Sequence, residues 1–514
     1  MKRPQLVSRG TLTRLLQAAE TAWNERDFQQ TIDQLERASR LDPANWQILL
    51  QLGRVYGLRY DYVAAERCFE RAIRIAPKKS AMMAAGGERA VDFASPKLAE
   101  HYFCRAIEQN DASAETFVGL AELYEHLHRT EEASALIGRA LHSNPDCPTA
   151  WLGKARLDRQ AGRLQEAEES VRRVIKSNDN TTRVRGFYEL GMILDRAGRY
   201  DEAMAAFIDA KALLRDEAKP WLQQLKAFRE YWGEMQANIS PEIFKRWFDA
   251  VPLLGPPRRI AFLGGHARSG TTLLEQILDS HPDVVSAEET TLFNDEVYIP
   301  LSKRRPVDTP MLDFLQSAEP NDLKKLRDNY FEQCQRHIGS PIGARLLIDK
   351  HPSMNVLIPT FIRAFPEIKL LIALRDPRDV CLSCFMQAHI PLSKQSAEYM
   401  TLEGTVEGYT RTMGLLRTLL PMLEGHYLEV RYENVVENLE GEARRTLAFL
   451  GVPWDERVLR FDEHAKGKKV RSPTYADVAQ PISKRAMGRW QKYQKYFEPH
   501  LDKLAPFLKA FGYD

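Results

Sequence analysis

At 514 residues the chain is too long for one hydrophobic core, and two or three domains are expected. Its 44% apolar and 28% charged residues are ordinary for a soluble globular protein. A formal net charge of +2 excludes a global attraction to nucleic acid or to an anionic membrane, so any anion must be held by local basic clusters.

The six cysteines (68, 104, 147, 334, 381 and 384) are scattered through the chain, which argues against a disulfide framework. Cys381 and Cys384 have C-x-x-C spacing, but no second pair completes a zinc site, and a structural role is expected. The sequence has no run of eighteen apolar residues, so no membrane span and a cytoplasmic setting are expected.

The first half repeats with a period of 34. Ala38, Ala72, Ala106 and Ala140 stand 34 apart and Val174 continues the series. Ala65, Ala99, Ala133 and Ala167 form a second series, joined by Ala203 after a two-residue slip. Leu35, Phe69, Phe103, Ile137, Val171 and Phe207 form a third, and Pro43, Pro77 and Pro145 close their units. Small residues where two helices cross, a large apolar residue four later and a terminating proline define a two-helix unit. With Leu52-Gly53, Tyr56, Gly119-Leu120, Tyr124 and Gly191 at first-helix positions, the pattern resembles the tetratricopeptide repeat. About six units are expected over residues 10–215, the third degenerate around Met82–Gly87, stacked as an all-α solenoid. Such arrays bind proteins or peptides, or else mediate dimerisation or brace a neighbouring domain, and a homodimer is compatible with the pattern.

The expected domain limits are 1–215 for the repeats, 216–257 for a helical connector and 258–514 for a second domain. The connector carries Trp221, Phe228, Tyr231, Trp232, Phe244, Trp247 and Phe248, and ends in the breaker Leu254-Gly-Pro-Pro-Arg258. The second domain opens on Ile260–Leu263, an apolar run that reads as a buried strand, followed by a glycine turn and an apolar helix from Thr272 to Leu278. Strand, turn and helix N-terminus make an anion site. Gly265 and Gly270 have the spacing of the nucleotide-binding loop G-x-x-x-x-G-K-[ST], but Thr271 stands where that loop has its lysine. The cation is instead Arg268, beside Ser269, Gly270 and the hydroxyls of Thr271 and Thr272. Such a loop suits a terminal phosphate held without metal and disfavours triphosphate hydrolysis.

Further short strands are expected at Val284-Val285, Ala344–His351, Lys369–Leu374 and His426–Val430, alternating with helices. This alternation predicts an α/β domain with a parallel sheet covered on both faces, and a site at the carboxyl ends of the strands. The polar residues at those ends are Arg268, Glu289, Lys350, Arg375 and Tyr432.

This set resembles the sulfotransferases that use 3′-phosphoadenosine-5′-phosphosulfate (PAPS), above all tyrosylprotein sulfotransferases and bacterial proteins joining repeats to such a domain. Arg268–Thr272 is similar to the family's loop for the 5′-phosphosulfate, and Arg375 with Ser383, eight apart, to its 3′-phosphate motif. Ala287–Thr290 resembles the segment of the catalytic base, which falls on Glu289; Lys350 stands where the family has a lysine near the transferred group, and Tyr432 at an adenine-side tyrosine. Ser472, Pro481 and Arg489-Trp490 resemble a C-terminal segment that closes over the cofactor, with two extra residues before the proline and arginine in place of lysine.

The resemblance implies Glu289, Lys350 and Arg268 as catalytic residues. It implies Arg268, Ser269, Gly270, Thr271, Thr272, Arg375, Ser383, Tyr432, Ser472 and Arg489 as cofactor ligands. It also implies PAPS as donor, adenosine 3′,5′-bisphosphate as product, no metal, and an acceptor hydroxyl, with a protein or peptide tyrosine foremost. Carbohydrate and small-molecule hydroxyls stay open as acceptors. Glu288, His281 and His351 compete with Glu289 as base, and Lys350 could be a plain ion-pair partner. Residues 386–403 are expected on the acceptor side, and the basic run 466–471 either closes over the phosphates or is solvated. The competing functions are a repeat scaffold with a non-catalytic nucleotide-binding domain, and a nucleotide kinase.

Overall fold

The computed structural model describes residues 9–306, 309–352, 354–388, 392–466 and 480–513. It divides into two compact units, Met1–Leu157 and Asp158–Asp514. Among the described residues no helix is long and apolar enough to cross a membrane.

In the first unit eight helices pair in sequence: Arg9–Asn24 with Phe28–Leu41, Trp46–Leu58 with Tyr62–Ile75, Lys79–Asp92 with Pro96–Ile107, and Ala114–His126 with Thr130–Ser143. Asp27, Asn45, Asp61 and Ser113 cap four of these helices by accepting from backbone N–H groups three residues on. Ala38, Ala65, Ala72, Ala99, Ala106, Ala133 and Ala140 are all buried, because the helices cross where only a methyl group fits. The degenerate third unit forms its helix all the same. Its Gly87 faces the Phe103 ring, where an added Cβ would lie 3.0 Å from the ring carbons. The turn within each pair places one residue at positive φ: Arg26, Tyr60, Ala94 and His128, again 34 apart.

The second unit starts with repeat-type helices, Leu164–Val174, Asn180–Arg196 and the 39-residue helix Tyr200–Asn238. Ala167, Val171, Val174, Ala203 and Phe207, the continuations of the three series, are fully buried. A five-stranded sheet follows, with β1 (Ile260–Gly265), β2 (Val284–Ser286), β3 (Leu346–Lys350), β4 (Lys369–Leu374) and β5 (Tyr427–Arg431). All neighbours are parallel and the order is β2-β3-β1-β4-β5. The five strands lie where the apolar runs predict them. Ala261 and Leu263 pack on one face with Ile277, Leu278 and Leu447, while on the other Phe262 meets Phe361 with ring centroids 4.7 Å apart. With both faces covered, the strands read as continuous apolar runs. The chain moves from one side of β1 to the other between β3 and β4, so the switch-point crevice opens at the carboxyl ends of β3, β1 and β4.

Residues 291–340, which carry little sequence pattern, form Ile299–Lys303, Met311–Ser317 and Pro320–Ile338. In the connector Trp232, Phe244 and Trp247 are buried, and Phe248 stacks on His426 at 3.8 Å between centroids.

Lys211, on the helix Tyr200–Asn238, is buried in this unit, with its Nζ 4.9 Å from the centre of the Phe385 ring and 5.4 Å from that of Tyr188. Nζ has no hydrogen-bond partner among the described residues, and burial depresses its pKa to about 7. Between that value and the ordinary lysine value the unfolded chain binds the extra proton, so stability rises with pH through this window. Lys211→Met is therefore expected to stabilise the protein at pH 7 by about 2 kcal/mol. The gain should fade as the buffer approaches pH ~10, which thermal melting across pH checks; a gain independent of pH would refute the titration.

Candidate active site

The loop after β1 is shaped by two glycines. Gly265, at φ 121°, has no room for a Cβ because the Ala373 carbonyl oxygen occupies that place. Asn355, fully buried, latches the same residue: Gly265 N–H donates to Asn355 Oδ1 at 3.0 Å, and Asn355 Nδ2 donates to the Gly265 carbonyl at 2.6 Å. Gly270, at φ 90°, lies under the ring of Tyr432, where a Cβ would come within 2.6 Å of a ring carbon. It is the N-cap of the helix Thr271–Asp279 and brings no side chain to the first amides. Ser269, Thr271 and Thr272 are buried around this turn. Arg268 holds φ at 72°, a left-handed conformation unusual for a residue with a side chain, and its Nε donates to Ser383 Oγ at 2.9 Å.

Ser383 lies on the helix Pro377–Phe385, which Asp376 caps by accepting from Arg378 N–H. Arg375, just before that cap, donates from Nη1 to the Arg268 carbonyl at 3.2 Å and from Nη2 to the Ala486 carbonyl. Its guanidinium lies over the Tyr432 ring, 5.0 Å from the centroid. Arg268, Ser383, Arg375 and Tyr432, drawn from three strand ends, thus form one cluster around the glycine turn.

On the other side of the loop stands Lys350, the last residue of β3 and fully buried. Its Nζ lies 2.6 Å from Glu275 Oε2, 3.1 Å from Glu289 Oε1 and 3.3 Å from Thr272 Oγ1. Burial acts against its charge, but attraction by Glu275 and then Glu289 prevails, and its pKa lies above the ordinary lysine value. The two acids differ in access. The Glu275 side chain is 0% exposed and Ser286 Oγ donates to it, whereas the Glu289 side chain is 32% exposed. Lys350 is an ion-pair partner, and it is one inside the loop cluster.

The competing bases are placed differently. His281 uses both ring nitrogens on backbone, Nδ1 accepting from Asp283 N–H at 3.0 Å and Nε2 meeting the Pro453 carbonyl at 2.8 Å. Burial holds His351 neutral, its pKa lowered to about 4. Glu288 is buried at φ 56°, one residue before Glu289, with its N–H donating to Ser286 Oγ.

The C-terminal segment meets this cluster through its backbone. Gly488 and Trp490 N–H donate to the two oxygens of Asp379 at 2.7 and 2.8 Å. Arg489, between them, pairs with Asp195 at 2.8 Å. Ser472 and residues 467–471 of the basic run lie outside the described residues, as do 389–391 of the expected acceptor-side segment, where Lys394–Glu398 is helical. Cys381 and Cys384 are free, and burial pushes the Cys384 thiol up to about 12.

Sequence reasoning did not find Glu275, Asn355 or the part played by Asp379. Glu275 reads as one acid on a helix whose neighbours Leu274, Ile277 and Leu278 are apolar, and its partner Lys350 lies 75 residues away. Asn355 carried no signal: its role depends on a backbone 90 residues away.

Residues 261–456 match the model of the sulfotransferase family, and 16–80, 118–181 and 154–217 match the tetratricopeptide repeat. An uncharacterized protein of Aquifex aeolicus is 26% identical over 335 residues, 64% of this chain but only 42% of its own length. Protein-tyrosine sulfotransferase 1 of Danio rerio is 26% identical over 272 residues, covering 50% of this chain and 72% of that protein. Protein-tyrosine sulfotransferase A of Caenorhabditis elegans is 26% identical over 266 residues, 49% and 67% of the two chains. The parallel sheet, the loop cluster at its carboxyl end and these matches agree: the chain carries a domain of the sulfotransferase family behind a region of tetratricopeptide repeats.

Proposed function

We propose that the protein transfers a sulfuryl group from PAPS to an acceptor hydroxyl, with a tyrosine of a protein or peptide as the favoured acceptor. The observation that carries this reading is the contact of Lys350 with both Glu289 and Thr272, which joins an accessible carboxylate, a buried cation and the phosphate loop in one place. The donor fits the residues present. Arg375 Nε is buried without a hydrogen-bond partner among the described residues, and its Nη1 holds the carbonyl of Arg268, whose own Nε meets the Ser383 hydroxyl, which suits a phosphate next to a nucleoside.

When bound, the donor supplies an activated sulfuryl group on a phosphate leaving group. Arg268 and the amides at the start of Thr271–Asp279 would hold the 5′-phosphate side, and Arg375 with Ser383 the 3′-phosphate. Lys350, kept charged by Glu275, would offset negative charge growing on the bridging oxygen. Glu289 would take the proton of the acceptor hydroxyl at Oε1 or Oε2, since of the two carboxylates on Lys350 only this one reaches the surface. These roles need no metal. Protein-tyrosine sulfotransferases among the relatives favour tyrosine as acceptor, and the repeats favour its presentation on a bound protein.

The reading is tested by calorimetric titration in metal-free buffer. Adenosine 3′,5′-bisphosphate is expected to bind and ADP is not; equal binding of the two would refute the 3′-phosphate assignment. Glu289→Gln should lower transfer from PAPS to a tyrosine peptide by about a hundredfold to ten-thousandfold while leaving nucleotide binding intact. Undiminished transfer by this variant would remove Glu289 from the chemistry.

A further inference from the structure

The segment 486–493 is stapled from two sides. Toward the nucleotide cluster, the Ala486 carbonyl accepts from Arg375, and the amides of Gly488 and Trp490 bind both oxygens of Asp379, itself 3.8 Å from Arg375 Nη2. The Arg378 guanidinium covers the Trp490 ring at 4.1 Å. Toward the repeat-type helix Asn180–Arg196, Arg489 pairs with Asp195 Oδ2 at 2.8 Å, and Tyr493 Oη donates to Asp195 Oδ1 at 2.7 Å. Tyr493 is fully buried and packs on Tyr200 of the next helix, 5.5 Å between centroids. The Asp195 side chain is only 10% exposed, so its two charge-assisted bonds are shielded from competing water.

Short 3-10 turns, Lys484–Ala486 and Arg489–Tyr493, are the segment's only regular structure up to Tyr493, and turns of that kind do not hold a position unaided. The contacts on either side must supply the order. Asp379 fixes two amides, while Asp195 fixes the two side chains that project away from the nucleotide cluster. Without Asp195, Arg489 and Tyr493 would lose the carboxylate that holds them, and this side of the segment would be released. The carbonyl that orients Arg375 would then be held less firmly.

We infer that Asp195 is a positioning residue for the cofactor site, so that the repeat-type helix Asn180–Arg196 is a working part of that site and a ligand which shifts this helix alters nucleotide affinity. The inference rests on Arg375 as a ligand of the 3′-phosphate. By linkage, nucleotide binding in turn alters the affinity of any ligand that shifts this helix, which gives the repeats a means to report the loaded state of the enzyme.

The full chain carrying Asp195→Asn is compared with wild type by titration of adenosine 3′,5′-bisphosphate, by amide hydrogen exchange at Gly488 and Trp490, and by steady-state kinetics. The affinity should fall by about tenfold, exchange at the two amides should speed up, and KM for the donor should rise with KM for the acceptor unchanged. A purely structural loss would move both KM values and the melting temperature together. Tyr493→Phe, which removes one hydrogen bond and keeps the ring, should shift the donor constants in the same direction by less. The inference is overturned if both variants bind within about twofold of wild type and exchange at Gly488 and Trp490 is unaltered. If wild type itself fails to bind the nucleotide, the sulfotransferase reading falls instead, and exchange at the two amides alone decides whether Asp195 anchors the segment.

Discussion

Lys350→Met is expected to abolish sulfuryl transfer and to destabilise the second unit by about 3–5 kcal/mol, because it strands a buried carboxylate. Glu275 is wholly enclosed, and Lys350 Nζ at 2.6 Å is its cationic partner. Methionine matches the lysine stem in bulk, so packing changes little and the loss reports electrostatics. The two consequences can be separated. In the double variant Lys350→Met/Glu275→Gln the stranded charge is gone, and most of the stability should return with no recovery of activity. Urea denaturation of the two variants and of Glu275→Gln closes the cycle. Should the double variant be as unstable as Lys350→Met alone, Glu275 is not the source of the penalty. Glu275→Gln on its own leaves Lys350 with Glu289 as its remaining carboxylate partner. It should bind nucleotide normally yet transfer sulfuryl groups more slowly, since Glu289, the base we propose, is then engaged more tightly by the lysine.

Arg375→Ala should weaken adenosine 3′,5′-bisphosphate by about a hundredfold, the worth of a lost pair of charge-assisted hydrogen bonds to phosphate. Adenosine 5′-phosphate, which lacks the 3′ group, should lose far less. What it does lose measures the second task of Arg375, the support of the Arg268 carbonyl at 3.2 Å. Arg375→Lys keeps the charge but not the forked geometry, and is expected to fall between. An equal loss for the two nucleotides would show that Arg375 only shapes the loop.

The repeats, the five strands and the residues at their ends could be read directly, for reasons of local physics. A 34-residue spacing of alanines survives in sequence because each helix crossing has the same geometry, and all seven alanines tested in the first unit are buried. The strands of a doubly covered sheet must be apolar throughout, so Ile260–Leu263 and Lys369–Leu374 stand out without any partner being known. Strand-end residues reach the crevice by topology alone, which is why Arg268, Glu289, Lys350, Arg375 and Tyr432 could be named together. Even the degenerate third repeat followed this logic, since two glycines serve helix packing where a large ring leans in.

Pairings between distant residues were another matter. Glu275 looks like any acid on a helix until Lys350, 75 residues away, is seen beside it, and nothing local to Arg489 in the sequence points to its pairing with Asp195. Local pattern in a chain encodes which side chains are buried and which backbone each element adopts, because both depend on neighbours within a few residues. A buried charge must be matched by a partner, but the partner can come from any element that folding brings near. The linear order of residues therefore placed these side chains at the strand ends; folding alone determined that Glu289 is the more exposed of the two carboxylates on Lys350, and that Asp195 of a repeat-type helix pairs with Arg489.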